Sequence, residues 1–267
     1  MSLPRFFVVP DHIERDGETG ARRVQILGDE AQHAARVLRL TCGQRVVLCD
    51  GSGVEYLGVL TQVAPRACLA DVISERQGPA EPRMQLHLFA GLSKGDKMDY
   101  LVQKCTELGA AAIHPVVTER SVVRLEGDKA IVRSQRWERI AREAAKQSGR
   151  ARWPSVSPVE PLAEAVRHFP CEQLVVAWEG ASSPLRYWLS GQHPASEVSV
   201  GAVIGPEGGL SSAEACGLQD QGAFVCSLGA RILRTETAGV VLVALIASAF
   251  GELDGMTQES DGGWSCG

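Results

Sequence analysis

Residues 203–214 read VIGPEGGLSSAE and residues 228–238 read LGARILRTETA. In the first stretch an apolar run stops at Gly-Pro-Glu-Gly-Gly. Ser211 and Glu214 then have the spacing of a capping box, in which hydroxyl and carboxylate each satisfy an N–H at a helix start. Strand, glycine loop and helix in that order make a ligand loop at the strand ends of an open α/β sheet. Gly205, Gly208 and Gly209 withdraw side chains, so that a ligand can reach backbone N–H and C=O groups. A tight turn asks for the same residues, and the loop alone leaves both readings standing. No Lys-Ser/Thr follows the glycines and G-x-G-x-x-G is not matched, which weighs against kinases, ATPases and ordinary dinucleotide enzymes. The second stretch gathers Arg231, Arg234, Thr235, Glu236 and Thr237 ahead of an apolar run. One reading is a helix start, with Thr235 capping and Glu236 complementing the dipole. The other is a site where Arg234 meets negative charge or carbonyl oxygens. Two such loops at neighbouring strand ends would form one pocket.

Outward from these loops, apolar extended runs at 85–90, 112–117, 174–178, 198–204 and 223–228 alternate with helical patterns at 97–108 and 134–148. This predicts an α/β fold with a mostly parallel sheet and helical crossovers. Residues 1–75 differ. Short β-rich runs at 45–50, 56–63 and 67–73, turn residues such as Asp50-Gly51-Ser52-Gly53, and one helix at 29–38 predict a small β-barrel. Residues 75–83, ERQGPAEPR, are polar with two prolines and read as a linker. The organisation expected is therefore a β-barrel over 1–75, an α/β domain over 76–251 and a polar, disordered tail over 252–267.

With 267 residues, 45% hydrophobic and 22% charged, the chain can bury a sizeable core. The apolar run 238–250 is shorter than the roughly 20 residues that cross a bilayer and lies between Glu236 and Glu252, so it reads as a core helix and no membrane is expected. The start, MSLPRFFVVPDH, has no signal-peptide pattern, which predicts a cytoplasmic protein. Eight cysteines without a C-x-x-C pair read as reduced thiols, with no metal and no disulfide framework. A formal net charge of -5 argues against nucleic acid, yet residues 91–155 carry thirteen Lys/Arg against eight Asp/Glu, and residues 156–267 four against thirteen. Such segregation permits a polyanion-binding face; ordinary solvated helices would give the same count.

KGDKMD (94–99), QKCTELG (103–109), ERSVV (119–123), RW..IAREAAKQSGR (136–150), IGPEGG (204–209) and LGARILRTETA (228–238) occur in this order. Together they resemble the RsmE family of 16S ribosomal RNA uridine-N3 methyltransferases, of the SPOUT class. The resemblance spans nearly the whole chain, since RFFV (5–8) and HAARVLR (33–39) resemble that family's PUA-like RNA-binding domain. It implies a trefoil-knotted α/β domain that binds S-adenosylmethionine, acts as a homodimer and takes 16S rRNA or the small ribosomal subunit as substrate. The cofactor loops would fall on Trp178, Glu179 and Gly180; on Ile204, Gly205, Pro206, Gly208 and Gly209; and on Ser227, Leu228, Gly229, Ile232, Leu233 and Arg234. The family often has His-Glu where this chain has Trp178-Glu179, so a role for position 178 beyond packing on the ligand does not carry over.

The reaction requires uracil N3 to lose its proton. A cation near O2 or O4 would stabilise the resulting charge, and Arg234 is the candidate. Glu207 or Glu236 could accept the proton, or either could be a dipole or salt-bridge partner. Arg5, Lys94, Lys97, Arg120, Arg124, Arg136, Arg139 and Arg150 are the expected RNA-phosphate contacts. Two rivals stand beside this reading: a related enzyme acting on tRNA or a ribose 2′-hydroxyl, and a non-catalytic RNA-binding or assembly factor.

Overall fold

The computed structural model describes residues 3–15, 17, 20–78, 81–125, 127–193 and 197–254; most of the tail expected at 252–267 lies outside them. The described chain divides into two compact units, residues up to 81 with 145–152, and residues 82–144 with 153–254.

The first unit contains β1 (Arg5–Phe7), β2 (Ile13–Arg15), β3 (Arg22–Leu27), α1 (Gly28–Gln32), β4 (Arg45–Cys49), β5 (Val54–Val63) and β6 (Ala67–Gln77). A π-helical turn, His33–Val37, continues α1. The strands are ordered β1-β4-β5-β6-β3-β2, antiparallel except for the parallel β1–β4 pair. The sheet curls as the barrel expectation requires, although among the described residues its end strands β1 and β2 do not pair. Register shifts at Leu57/Gly58 and Leu60/Gln62 bend β5 as bulges do. Phe6, Ile26, Leu48 and Leu60 fill the core, under Ala31 of α1 and Ala34 of the π-helical turn. β6 extends through Gln77 into the stretch read as a linker. Beyond it the Glu81 carboxylate accepts the Ala151 and Arg152 N–H groups, both at 2.8 Å, and Arg150 Nη2 at 3.0 Å. Chain order gives no sign that residues 145–152 return to this unit.

The second unit contains β7 (Gln85–Gly91), α2 (Lys97–Glu107), β8 (Ala112–Val117), all of α3 (Asp128–Gln147) but residues 145–147, β9 (Ser155–Val156), β10 (Glu160–Pro161), α4 (Leu162–His168), β11 (Gln173–Ala177), α5 (Arg186–Leu189), β12 (Ser199–Ile204), α6 (Ser212–Asp220), β13 (Phe224–Cys226) and α7 (Thr235–Ala249). Every strand pair is parallel, in the order β10-β8-β7-β12-β11-β13, with β9 also on β8. Adjacent residues on a strand point to opposite faces. Accordingly Leu88, Ala90, Val175 and Ile204 pack in one core with Leu101, Trp137 and Leu242, and Phe89, Val176 and Val203 in another with Leu162 and Leu218. Burial of both faces explains why these strands read as unbroken apolar runs. α3 begins at Asp128, earlier than the pattern at 134–148 suggests. At Gly239 of α7 a Cβ would lie 2.6 Å from Ile204 Cδ1, so the glycine admits this close helix–sheet approach. Glu252, expected in the tail, accepts the Arg83 and Met84 N–H groups at 2.9 and 3.2 Å. Among the described residues no helix is long and apolar enough to cross a membrane. Among the described residues no group of three or more His, Cys, Asp or Glu side chains could hold a metal ion.

Candidate active site

A cavity of about 550 Å³ opens at the C-terminal ends of β11, β12 and β13, where β11 ends at Ala177, β12 at Ile204 and β13 runs into Ser227. Open parallel sheets bind ligands at this end of their strands. Three loops supply the walls: Trp178 and Glu179; Gly205 to Gly209; and Ser227 to Arg234, continued by Thr235 and Ala238 of α7.

The loops hold one another through contacts that single residues make possible. Trp178 donates its backbone N–H to the Cys226 carbonyl at 2.9 Å and its indole Nε1–H to the Leu210 carbonyl at 3.1 Å. The residue that departs from the family pattern thus ties the first loop to the end of the second. A Cβ on Gly205 would stand 2.7 Å from the Gly209 carbonyl carbon, and one on Gly91 would stand 2.4 Å from Pro206 N. Gly209, at φ +70°, leaves room for the Glu179 carboxylate, which a Cβ would approach to 2.4 Å. The glycines therefore serve the turn and the open wall together, and the two readings of the loop converge. The capping box forms: the Glu214 N–H donates to Ser211 Oγ and the Ser211 N–H to the Glu214 carboxylate.

Of the expected cofactor residues all line the cavity except Gly180. A Cβ there would meet the Trp178 ring at 2.5 Å, so Gly180 makes space for the indole instead of facing the cavity. Ala177, Ala230 and Ala238 line it without having been singled out, and Thr235, read in the sequence as a helix cap, lines it as well. Thr235 and Ala238 are three apart and share a helix face, a spacing already present in the sequence.

Arg234 is exposed, lines the cavity and stands at the N-cap of α7 in extended conformation, without a side-chain cap. Glu207 lines it too, but its Oε1 already accepts Lys97 Nζ at 2.7 Å and the Lys94 N–H at 3.0 Å. Partial burial raises the Glu207 carboxyl; the Lys97 ammonium and the N–H groups of Glu207 and Lys94 outweigh it and bring the group below the usual carboxylate range. Glu236 is not among the lining residues. One position past Thr235, it is turned about 100° round the helix, and its Oε2 is buried without a hydrogen-bond partner. The proton-acceptor expectation is corrected accordingly for Glu236 and weakened for Glu207.

The eight expected phosphate contacts separate by burial. Arg5 pairs with the fully buried Glu55 at 2.7 Å, and Arg150, 4% exposed, pairs with Glu81 at 3.0 Å. Both guanidinium groups serve the interior of the first unit, since a buried charge must be paired, and they are corrected from the RNA list. Arg136 is held by Asp99 at 2.6 Å, and Lys97 belongs to the cavity. Arg120 is exposed and reaches the Gly208 carbonyl at 3.2 Å, with Glu179 3.8 Å away. Lys94, Arg124 and Arg139 are exposed.

The RNA methyltransferase domain family matches residues 80–247, and the RNA methyltransferase PUA domain family residues 26–73. The chain is 36% identical over 230 residues to the ribosomal RNA small subunit methyltransferase E of Bacillus subtilis, covering 83% of this chain and 88% of that protein. The Mycobacterium bovis protein of the same name is 32% identical, covering 86% and 87%. Among solved structures, a ribosomal RNA small subunit methyltransferase E from Neisseria gonorrhoeae bound to S-adenosylmethionine superimposes with TM-score 0.77 at 32% identity, covering 92% of this chain and 98% of that one.

Proposed function

The chain belongs to the ribosomal RNA small subunit methyltransferase E family, and from that premise we propose that it methylates N3 of a uridine in 16S rRNA, using S-adenosylmethionine. The cavity carries this reading: glycine-opened loops meet at three parallel strand ends with an exposed arginine beside them. Its volume of about 550 Å³ lies in the range of small-molecule and cofactor sites.

Backbone groups of residues 204–209 and 227–233 would hold the cofactor, and Trp178 would fix the loop between them. When bound, S-adenosylmethionine supplies a methyl group already activated on a sulfonium. The protein's task is then alignment and exclusion of water. Arg234 would donate to a uracil carbonyl oxygen and stabilise the charge that forms as N3 loses its proton. The exposed Lys94, Arg124 and Arg139 would neutralise RNA phosphates.

The same reading includes a homodimer, a trefoil knot and work in the bacterial cytoplasm. In favour of the dimer, α7 is apolar around its circumference, yet Leu245 is 41% exposed; a helix apolar on all sides is ordinarily buried. In favour of the knot, residues 178–185 wrap the end of β13, with the Ser227 N–H donating to the Ser183 carbonyl and the Leu185 N–H to the Ser227 carbonyl.

The test supplies labelled S-adenosylmethionine and small ribosomal subunits lacking the modification, then identifies the labelled nucleoside after digestion. Label in 3-methyluridine is expected. Label in another nucleoside moves the target, and bound cofactor with no label favours the non-catalytic rival.

A further inference from the structure

Lys97 opens α2 and lines the cavity. Its ammonium is 2.7 Å from Glu207 Oε1, and the Lys94 N–H donates to the same oxygen at 3.0 Å. A lysine ammonium has three donors and no acceptor. One is spent on Glu207; the side chain is still 33% exposed and lines the cavity, which leaves two donors for what enters it.

The pair has a division of labour. Glu207 is held from two directions and kept ionised by its donors, which leaves it a poor proton acceptor. It fixes the lysine in place. A fixed, charged donor beside a cofactor-sized cavity answers a need of the reaction assigned above. When uracil N3 loses its proton, the negative charge spreads onto the two flanking carbonyl oxygens, O2 and O4, and Arg234 as one candidate donor does not account for both.

We propose that Lys97 is a second cationic group for the methylated base, donating an N–H to a uracil carbonyl oxygen while Glu207 holds it in position. The inference rests on the uridine-N3 reading. The N3 electron pair forms the new N–C bond, the pair of the broken S–C bond stays on sulfur, and the N3 proton passes to water. Lys97 keeps its protons throughout, and Glu207 is a positioning residue.

The experiment compares Lys97→Met, Lys97→Arg and Glu207→Gln in two measurements: cofactor Kd by calorimetry, and single-turnover methyl transfer to small subunits at saturating cofactor. Lys97→Met is expected to lose about 100-fold or more in rate, as for removal of one preorganised donor, with cofactor Kd within about threefold. Lys97→Arg should recover about tenfold or more of that loss, which a purely structural role would not require. Glu207→Gln keeps an oxygen acceptor for Lys97 and Lys94 and should lose less than about tenfold. If Lys97→Met weakens cofactor binding about tenfold or more while the rate at saturation survives, the lysine serves the cofactor's carboxylate and the proposal falls. A rate loss in Glu207→Gln as deep as that in Lys97→Met would make Glu207 the base and overturn it as well. A wild-type product other than 3-methyluridine is a separate failure, of the reading beneath.

Discussion

In the first unit, two arginines turn inward. Arg5 reaches the buried Glu55, and Arg150 meets Glu81 with only 4% of its side chain exposed. Around the cavity of the second unit the arginines stay in the open: Arg231 and Arg234 are exposed on the loop before α7, and Arg120 is about half exposed beside the glycine loop. By residue type and local charge these are the same groups, and the sequence nominates members of both sets as ligand contacts. Burial is what separates them. A guanidinium taken from water must be paired, and its charge is then no longer available to a ligand; an open one beside a wall of glycine and backbone keeps its charge for what enters.

The sharpest way to break this comparison is Arg234→Ala. Methyl transfer should fall by about 100- to 1000-fold, with cofactor affinity and the unfolding midpoint little changed. Wild-type activity in the variant would remove the open arginine from the mechanism. The buried counterpart should respond in stability instead. Arg150→Met leaves the Glu81 carboxylate short of its cation and is expected to cost about 3 kcal/mol, read as a lower denaturant midpoint. An unshifted midpoint would mean that the pair in the first unit contributes no more than a surface contact.

The smallest effect sharpens the contrast among the remaining cations. Arg124→Ala and Arg139→Ala should each reduce the slope of log RNA affinity against log salt by about 0.7 to 0.9, one phosphate contact apiece. Folded Arg5→Met should leave that slope unchanged. If Arg5 moves the slope and the other two do not, the assignment of phosphate contacts by exposure fails.

Much of the second unit was legible because its signals are local. VIGPEGGLSSAE contains a strand end, a glycine turn and a capping box within twelve residues, and the structure forms all three. The parallel strands announced themselves as apolar runs, being buried on both faces. The extension of β6 through Gln77 was not legible, because a polar edge such as SERQ carries no apolar alternation to mark it. Nor was the start of α3 at Asp128, since residues 128–133 are mostly exposed and lack a buried stripe. Within the site, loop membership could be read from sequence, but the place of Lys97 at the cavity could not, because its partner, Glu207, lies 110 positions along the chain.

The sequence by itself determined the loops, their order and the family, since motif spacing and hydrophobic period are properties of neighbouring residues. Tertiary structure alone decided which charges remain free. It paired Arg150 with Glu81 and Lys97 with Glu207, left Arg234 open at the cavity and turned Glu236 away from it. The physical reason is that desolvation and pairing depend on distance in space, and residues far apart in the chain set them.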